Sequence, residues 1–360
     1  MLKNKFDLLF IGGHHSSALP LALMFKEQGY SIVFVGHKYN SASNKFVSSE
    51  YKEVTSYDIP HIHLKAAKFY NVPGIKKYLV FIKSVFLSFG ILLKTRPKVV
   101  VSYGGYLSVP LVLSAKILGI KSVTHEQTAV SGMANRVVTK LADLVFLTWE
   151  SSLSHFPNKK AVIVGLPLRK EILNIKPRTL GPKYALKTVF IQGGKQGSHV
   201  LNEFIFNNLD FLAKKFKIYH STGRNSLFDD YSLSQKLKKK YPNYFPFDYK
   251  FGADYMDILS KADFLISRSG AHTVYEVSYL KIPAIFVPIP WASNQEQKHN
   301  ALTAQEYVPS VLLEQDNLNL KSFKNAFEEL KKLVKRKVSY KQVPLNATQK
   351  MFDIIKNKYL

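Results

Sequence analysis

Four glycine-bearing turns carry the residue types that could do chemistry: GGHHSS (12–17), GGYLS (104–108), GGKQGS (193–198) and SGAHT (269–273). Each follows a short apolar run. Glycine lets backbone approach a ligand closely, and the free N–H groups of a following helix favour phosphate. Turn-making alone does not need four such sites, so phosphate or nucleotide binding is expected. None matches GxGxxG or GxxxxGK[ST], which argues against a standard dinucleotide fold or a P-loop ATPase. HEQT (125–128) has no second His at helical spacing, hence no zincin motif. The chain also lacks an Asp-x-Asp pair, a common metal clamp of nucleotide-sugar enzymes, so a reaction without metal or cofactor is expected. Zero cysteines exclude disulfides, thiolate metal sites and cysteine nucleophiles.

The elements that must position these turns alternate in kind. FDLLFI (6–11), SIVFVG (31–36), KVVVSYGG (98–105), KSVTHEQ (121–127), DLVFLT (143–148) and AVIVG (161–165) read as strands. A second set follows: KTVFIQGG (187–194), FKIYHSTG (216–223), DFLISRSG (263–270) and PAIFVPIP (283–290). Continuous apolar runs of this length fit parallel strands buried on both faces. Between them, stretches such as Ser108–Leu118 and Thr273–Leu280 carry helical spacing. The alternation implies an α/β doubly wound parallel sheet in two copies. The Pro- and Gly-bearing stretch after Gly165 reads as a connector. Expected domains are therefore 1–165 and 166–345, with 346–360 a terminal helix packing back on the first. Ser322–Arg336 reads as a surface helix opened by a capping Ser.

In 360 residues, 51 Lys+Arg against 25 Asp+Glu leave a net charge of +26, while 46% hydrophobic content excludes extensive disorder. Such an excess speaks to partners rather than fold: nucleic acid, an anionic membrane or phosphate-rich substrates. It is uneven, with ten Lys/Arg and no carboxylate between Asp58 and Glu126. Within that stretch Lys76, Lys77 and Lys83 surround Ile75, Leu79, Phe81, Ile82 and Phe86. Lysines around apolar side chains suit the boundary of an anionic bilayer. Leu8–Ile11 is too short for a signal-peptide core. No run reaches the ~18 uncharged apolar residues of a spanning helix; the nearest, Tyr78–Leu93, is interrupted by Lys83. A soluble or peripheral, cytoplasmic protein is expected.

The order of motifs resembles the MurG family, bacterial transferases that move N-acetylglucosamine from a UDP donor onto lipid I. The resemblance runs nearly end to end: Gly-Gly-His (12–14), PGIKKYLVFIKS (73–84), YGGYLSVP (103–110), THEQTAVSGMANR (124–136) and VGLPLR (164–169). QGGKQGSHVLNE (192–203), FGADYMDILSKADFLISRSGAHTVYE (251–276) and NQEQKHNA (294–301) complete it. It implies a GT-B fold, two Rossmann-like domains facing across a cleft, with UDP-N-acetylglucosamine held mainly by the second and the acceptor by the first.

For the donor, the resemblance implies that Glu276 accepts two hydrogen bonds from the ribose diol. Gly193, Gly194, Lys195, Gln196 and Gly197, with Ser269, Gly270, Ala271, His272 and Thr273, would cradle the diphosphate, helped by Arg169. Arg268 would anchor the loop, Phe251 and Gly252 would meet uracil, and Gln297 and Asn300 would read sugar hydroxyls. For the acceptor, the turns at Gly12 and Gly13 and at Tyr103, Gly104, Gly105 and Tyr106, with Thr128, would receive a polyprenyl-diphosphate-linked sugar. His14 would be the general base, with His15 its rival, and Glu126 would orient groups nearby. The segment 73–84 would meet the anionic inner membrane surface, placing the protein peripherally on the cytoplasmic face; no nucleic-acid partner is expected.

The departures fall mainly in the acceptor half. The family's first loop is usually GGTGGH, about three residues longer; Thr128 stands where Asn is common, and Lys195 where Ser is usual. The single Gly-Gly-His also looks like the acceptor half of the two-part eukaryotic enzyme acting on dolichol diphosphate. Lipid I is the expected acceptor, and another polyprenyl-linked saccharide the first alternative. A UDP-N-acetylglucosamine epimerase and a non-enzymatic basic binding protein are the others.

Overall fold

A computed structural model describes residues 5–39, 47–64, 74–156, 160–224, 227–336 and 338–360. Pro73, Lys65 and Lys68, part of the basic stretch, lie outside them. The chain divides into two compact units, one of residues 1–168 with 344–360 and the other of residues 169–343.

The strands of the first unit are β1 (Leu8–Ile11), β2 (Ile32–Gly36), β3 (His61–His63), β4 (Val99–Ser102), β5 (Lys121–Glu126), β6 (Leu144–Leu147) and β7 (Ala161–Ile163). They pair in parallel in the order β3-β2-β1-β4-β5-β6-β7, the doubly wound arrangement. Residues of one strand alternate between two cores. Leu8 and Phe10 join one, to which helices α1 (His15–Glu27) and α14 (Ala347–Tyr359) contribute Leu21, Phe25, Met351 and Phe352. Leu9 and Ile11 join the other, under α3 (Lys76–Thr95), α4 (Ser108–Ile117) and α5 (Met133–Leu141). Short α2 (Ser49–Ser56) lies between β2 and β3. The rings of Phe25 and Phe352 lie 4.6 Å apart, seating α14 on α1.

The second unit repeats the plan with β8 (Thr188–Gln192), β9 (Lys217–Ser221), β10 (Tyr244–Phe247), β11 (Phe264–Ser267), β12 (Ala284–Phe286) and β13 (Ser310–Leu312), in the order β10-β9-β8-β11-β12-β13. Its helices are α6 (Lys170–Leu173), α7 (His199–Asn207), α8 (Leu209–Lys215), α9 (Asp230–Lys238), α10 (Gly252–Lys261), α11 (Ala271–Leu280), α12 (Glu296–Ala304) and α13 (Leu320–Lys335). Two local expectations are corrected. The connector after Gly165 contains the single-turn α6. The cap of α13 is Asn319, whose side chain accepts from the Ser322 N–H at 3.0 Å, so Ser322 sits inside the first turn. Asn caps as well as Ser does and comes first in the chain.

Helix α3 is long and apolar enough to cross a membrane, but it is two-sided. Ser84, Ser88, Leu92 and Thr95 are buried, and α4 packs against it. Ile75, Leu79, Ile82 and Phe86, spaced for one helix face, are exposed together with Tyr78 and Lys76, Lys77 and Lys83. Phe81 departs from the exposed patch expected of it: it is half-buried against the core, on the inner side of the helix.

Candidate functional site

In the first unit the turns after β1 and β4 are packed backbone to backbone. Gly12 has φ 140°, and a Cβ there would lie 2.9 Å from the carbonyl carbon of Tyr103, so only glycine fits. Gly104, at φ 75°, leaves the space that the Asn135 amide occupies. Gly13, Gly105 and Tyr106 line the same edge. Tyr103 lies wholly within the core, so its contribution to the acceptor edge is its backbone.

His14 and His15 part company at the head of α1. His15 is buried, with Nε2 2.9 Å from Glu53 Oε2. His14, at the N-cap, is exposed and has no side-chain capping bond. Protein packed about its ring lowers its pKa to about 4; the neighbouring His15 acts in the same direction and Glu50 opposes it. Contact with water moderates the shift, and at pH 7 the imidazole is the free base in either limit.

Glu126 ends β5 with its carboxylate saturated. It accepts from Thr128 N–H at 3.1 Å, Thr128 Oγ1 at 2.7 Å, Ser131 Oγ at 2.8 Å and Asn135 Nδ2 at 2.9 Å. It therefore shapes the 127–135 loop and is buried beneath it. Beside it His125, missed as a site candidate, pairs through Nε2 with the Gly165 carbonyl at 2.9 Å, and burial holds its pKa at about 4.

In the second unit Gly197, at φ 79°, has no room for a Cβ, which would sit 1.9 Å from the Thr222 carbonyl oxygen. Gly223, missed in the sequence, faces the same limit from the other side, with a Cβ 2.2 Å from Gly197 N. The Gly193–Gly197 turn is thus clamped on the end of β9, while Gly194, Lys195 and Gln196 stay exposed. Ser198 caps α7 without a side-chain bond to the helix; its hydroxyl accepts from Arg268 instead, at 2.7 Å. Arg268 is buried and donates also to the carbonyls of Val287 and Pro288 and to Gln315 Oε1. It ties the turns after β8, β11 and β12 together. Burial lowers its pKa to about 10, so it stays charged.

Helix α11 starts after Gly270, with Ala271, His272 and Thr273 in its first turn and no acidic residue there. Below that turn, Ser269 donates to the Gln297 carbonyl at 2.7 Å, and Asn300 Nδ2 to the Ser269 carbonyl at 3.1 Å. Gln297 Oε1 accepts from Ile289 N–H at 3.1 Å. One turn further along α11, Glu276 is 8% exposed and accepts from Tyr255 OH at 2.9 Å. Burial lifts its pKa to about 7, opposed by Tyr255 and by the positive charge of Arg169. Tyr255 was missed; its only sequence signal is its place four residues after Phe251. Phe251 is 75% exposed and precedes Gly252 at φ 58°. A large ring left open there is available for stacking rather than packed in a core.

Residues 11–147 match the glycosyltransferase family 28 N-terminal domain and residues 188–357 the family 28 C-terminal domain. A Staphylococcus carnosus (strain TM300) protein is 31% identical over 318 residues, covering 86% of this chain and 84% of its own. That protein is named UDP-N-acetylglucosamine--N-acetylmuramyl-(pentapeptide) pyrophosphoryl-undecaprenol N-acetylglucosamine transferase. The chain belongs to glycosyltransferase family 28. Its fold is shared with Acinetobacter baumannii MurG, at TM-score 0.71 and 23% identity over 98% of this chain and 99% of that one. It is also shared with a Methanocaldococcus jannaschii UDP-GlcNAc 2-epimerase, at TM-score 0.64 and 13% identity over 98% and 99%. The family 28 enzyme is thus a MurG-like glycosyltransferase of GT-B fold class.

Proposed function

We propose that this enzyme transfers N-acetylglucosamine from UDP-N-acetylglucosamine, with inversion, to a polyprenyl-diphosphate-linked sugar, converting lipid I to lipid II. The observation that carries the reading is the likeness over 318 residues to the staphylococcal transferase of that reaction. The donor half supports it. Ionised Glu276 offers two oxygens to the ribose diol, and the first turns of α7 and α11, free of acidic residues, favour the diphosphate. Phe251 stacks on uracil, and Arg169 adds charge where UDP departs.

In the transfer, the acceptor hydroxyl attacks the anomeric carbon as the bond from that carbon to the UDP oxygen breaks. His14 takes the hydroxyl proton as a neutral imidazole. Its exposure favours it over His15, which is held by Glu53. Helix α3 seats the enzyme peripherally on the cytoplasmic face of the membrane, with Ile75, Leu79, Ile82 and Phe86 in the headgroup region and lysines beside anionic lipid. The test is incubation with labelled UDP-N-acetylglucosamine and a short-chain lipid I, without added metal, and detection of lipid II. Transfer to a different lipid-linked sugar alone would reassign the acceptor, and absence of saturable UDP binding would overturn the class.

A further inference from the structure

The order β3-β2-β1-β4 sets four strand ends side by side: His63 ends β3, His37 follows β2, His14 follows β1, and Tyr106 follows β4. Both β2 and β4 pair with β1, so side chains from their ends meet only by crossing the β1 turn. They do meet. His37 Nε2 is hydrogen-bonded to the Tyr106 hydroxyl, with ring centroids 5.6 Å apart.

The β1 turn between them is short. Strand β1 ends at Ile11 and α1 begins at His15, and Gly12 lies directly on the backbone of Tyr103 and Gly104. The His37 backbone is itself fixed. Its carbonyl accepts from Ser48 Oγ at 2.6 Å, and the next residue, Lys38, donates its N–H to His63 Nδ1 at 3.1 Å. The His63 ring stands 5.9 Å from that of His37.

We infer that His37 is a positioning residue for the lipid-linked acceptor. It holds the Tyr106 ring and hydroxyl at the edge of the sheet where the β1 and β4 turns begin, as a platform for the acceptor sugar. A sugar ring presents both C–H faces and hydroxyls, which an aromatic face and a fixed O–H can meet together. The inference rests on the transferase reading proposed above.

The experiment is steady-state kinetics with both substrates varied, using UDP-N-acetylglucosamine and a short-chain polyprenyl-diphosphate muramyl acceptor. His37→Ala is expected to raise the acceptor KM about tenfold, with donor KM within about twofold, the size of one lost charge-neutral hydrogen bond and its alignment. His37→Gln, whose amide reaches the Nε2 position, should recover most of the loss. Tyr106→Phe removes the same bond without touching the β2 end and should raise acceptor KM alone, and adding His37→Ala to it should cost little more. If His37→Ala does not fold, the Gln and Phe variants carry the comparison. Unchanged acceptor KM in the folded variants, equal rises in both KM values, or additive effects would overturn the inference. Wild-type protein that binds UDP but glycosylates no polyprenyl-diphosphate sugar would overturn the transferase reading, and this inference with it.

Discussion

Tyr255→Phe separates the ionisation of Glu276 from its mere presence. Burial raises the Glu276 pKa to about 7, and the Tyr255 hydroxyl, 2.9 Å from Oε2, opposes that rise by bonding the charged form. If only the carboxylate accepts the ribose diol, the apparent Kd carries a factor of 1 + 10^(pKa − pH). For the wild type, affinity should then weaken about tenfold between pH 8 and pH 6. A hydrogen bond to a charged group is worth about 1.5–3 kcal/mol, and ~1.4 kcal/mol moves a titration midpoint by one pH unit. Its loss should therefore weaken binding about six- to seventyfold at pH 7 and by no more than about fivefold at pH 8.5. The assay is isothermal titration calorimetry with UDP-N-acetylglucosamine, whose doubly esterified diphosphate does not titrate in this range. Measurement in two buffers of different ionisation heat reads proton release directly. Glu276→Gln supplies the reference, weak at every pH and flat. A Tyr255→Phe curve parallel to the wild type across pH 6–8.5 would refute the reasoning.

Three further outcomes follow from the geometry. His14→Ala should lower kcat by about 10²-fold or more with donor affinity unchanged. His15→Ala should instead lower the melting temperature, because it removes the buried ring and its 2.9 Å bond to Glu53; equal kcat losses in both would reject the distinction. Gly197→Ala, forced to a positive φ with its methyl against the Thr222 carbonyl, should cost about 1–3 kcal/mol from the backbone alone and abolish UDP binding. Gly13→Ala, with nothing within 4 Å of its Cβ, should leave stability within about 0.5 kcal/mol in a denaturant titration. Vesicle binding should need anionic lipid, weaken with salt and fall on Phe86→Ser, while Phe81→Ser should chiefly destabilise the fold. Salt-independent binding would count against the lysines.

What could be read from the sequence follows from burial. The strands expected from apolar runs include the central ones, β1, β4, β8 and β11, covered on both faces. The strands not anticipated were HIH (61–63), YFPF (244–247) and SVL (310–312), and each lies at the edge of its sheet. An edge strand has one neighbour and less to bury, so its residues need no continuous apolar run. The glycine turns were legible because close backbone contact leaves glycine as the residue that fits. Side-chain partnerships were not. The difference between His14 and His15 depends on Glu53, 38 residues away, and the tie between His37 and Tyr106 spans 69. The saturation of Glu126 is local by comparison, yet it needs the loop to fold back before Ser131 and Asn135 reach one carboxylate.

Helix α14 completes the first unit's core from the far end of the chain, through Met351, Phe352 and Ile355. A nascent polypeptide leaving the ribosome therefore meets an inverted order of maturation. The second unit is contiguous and can close as soon as residue 343 has emerged. The first, though made earlier, must wait with the α14-facing side of α1 open to water, Phe25 included, until the helix arrives. During translation that apolar strip is what a chaperone would find to hold, and it is covered only after the whole second unit has been made.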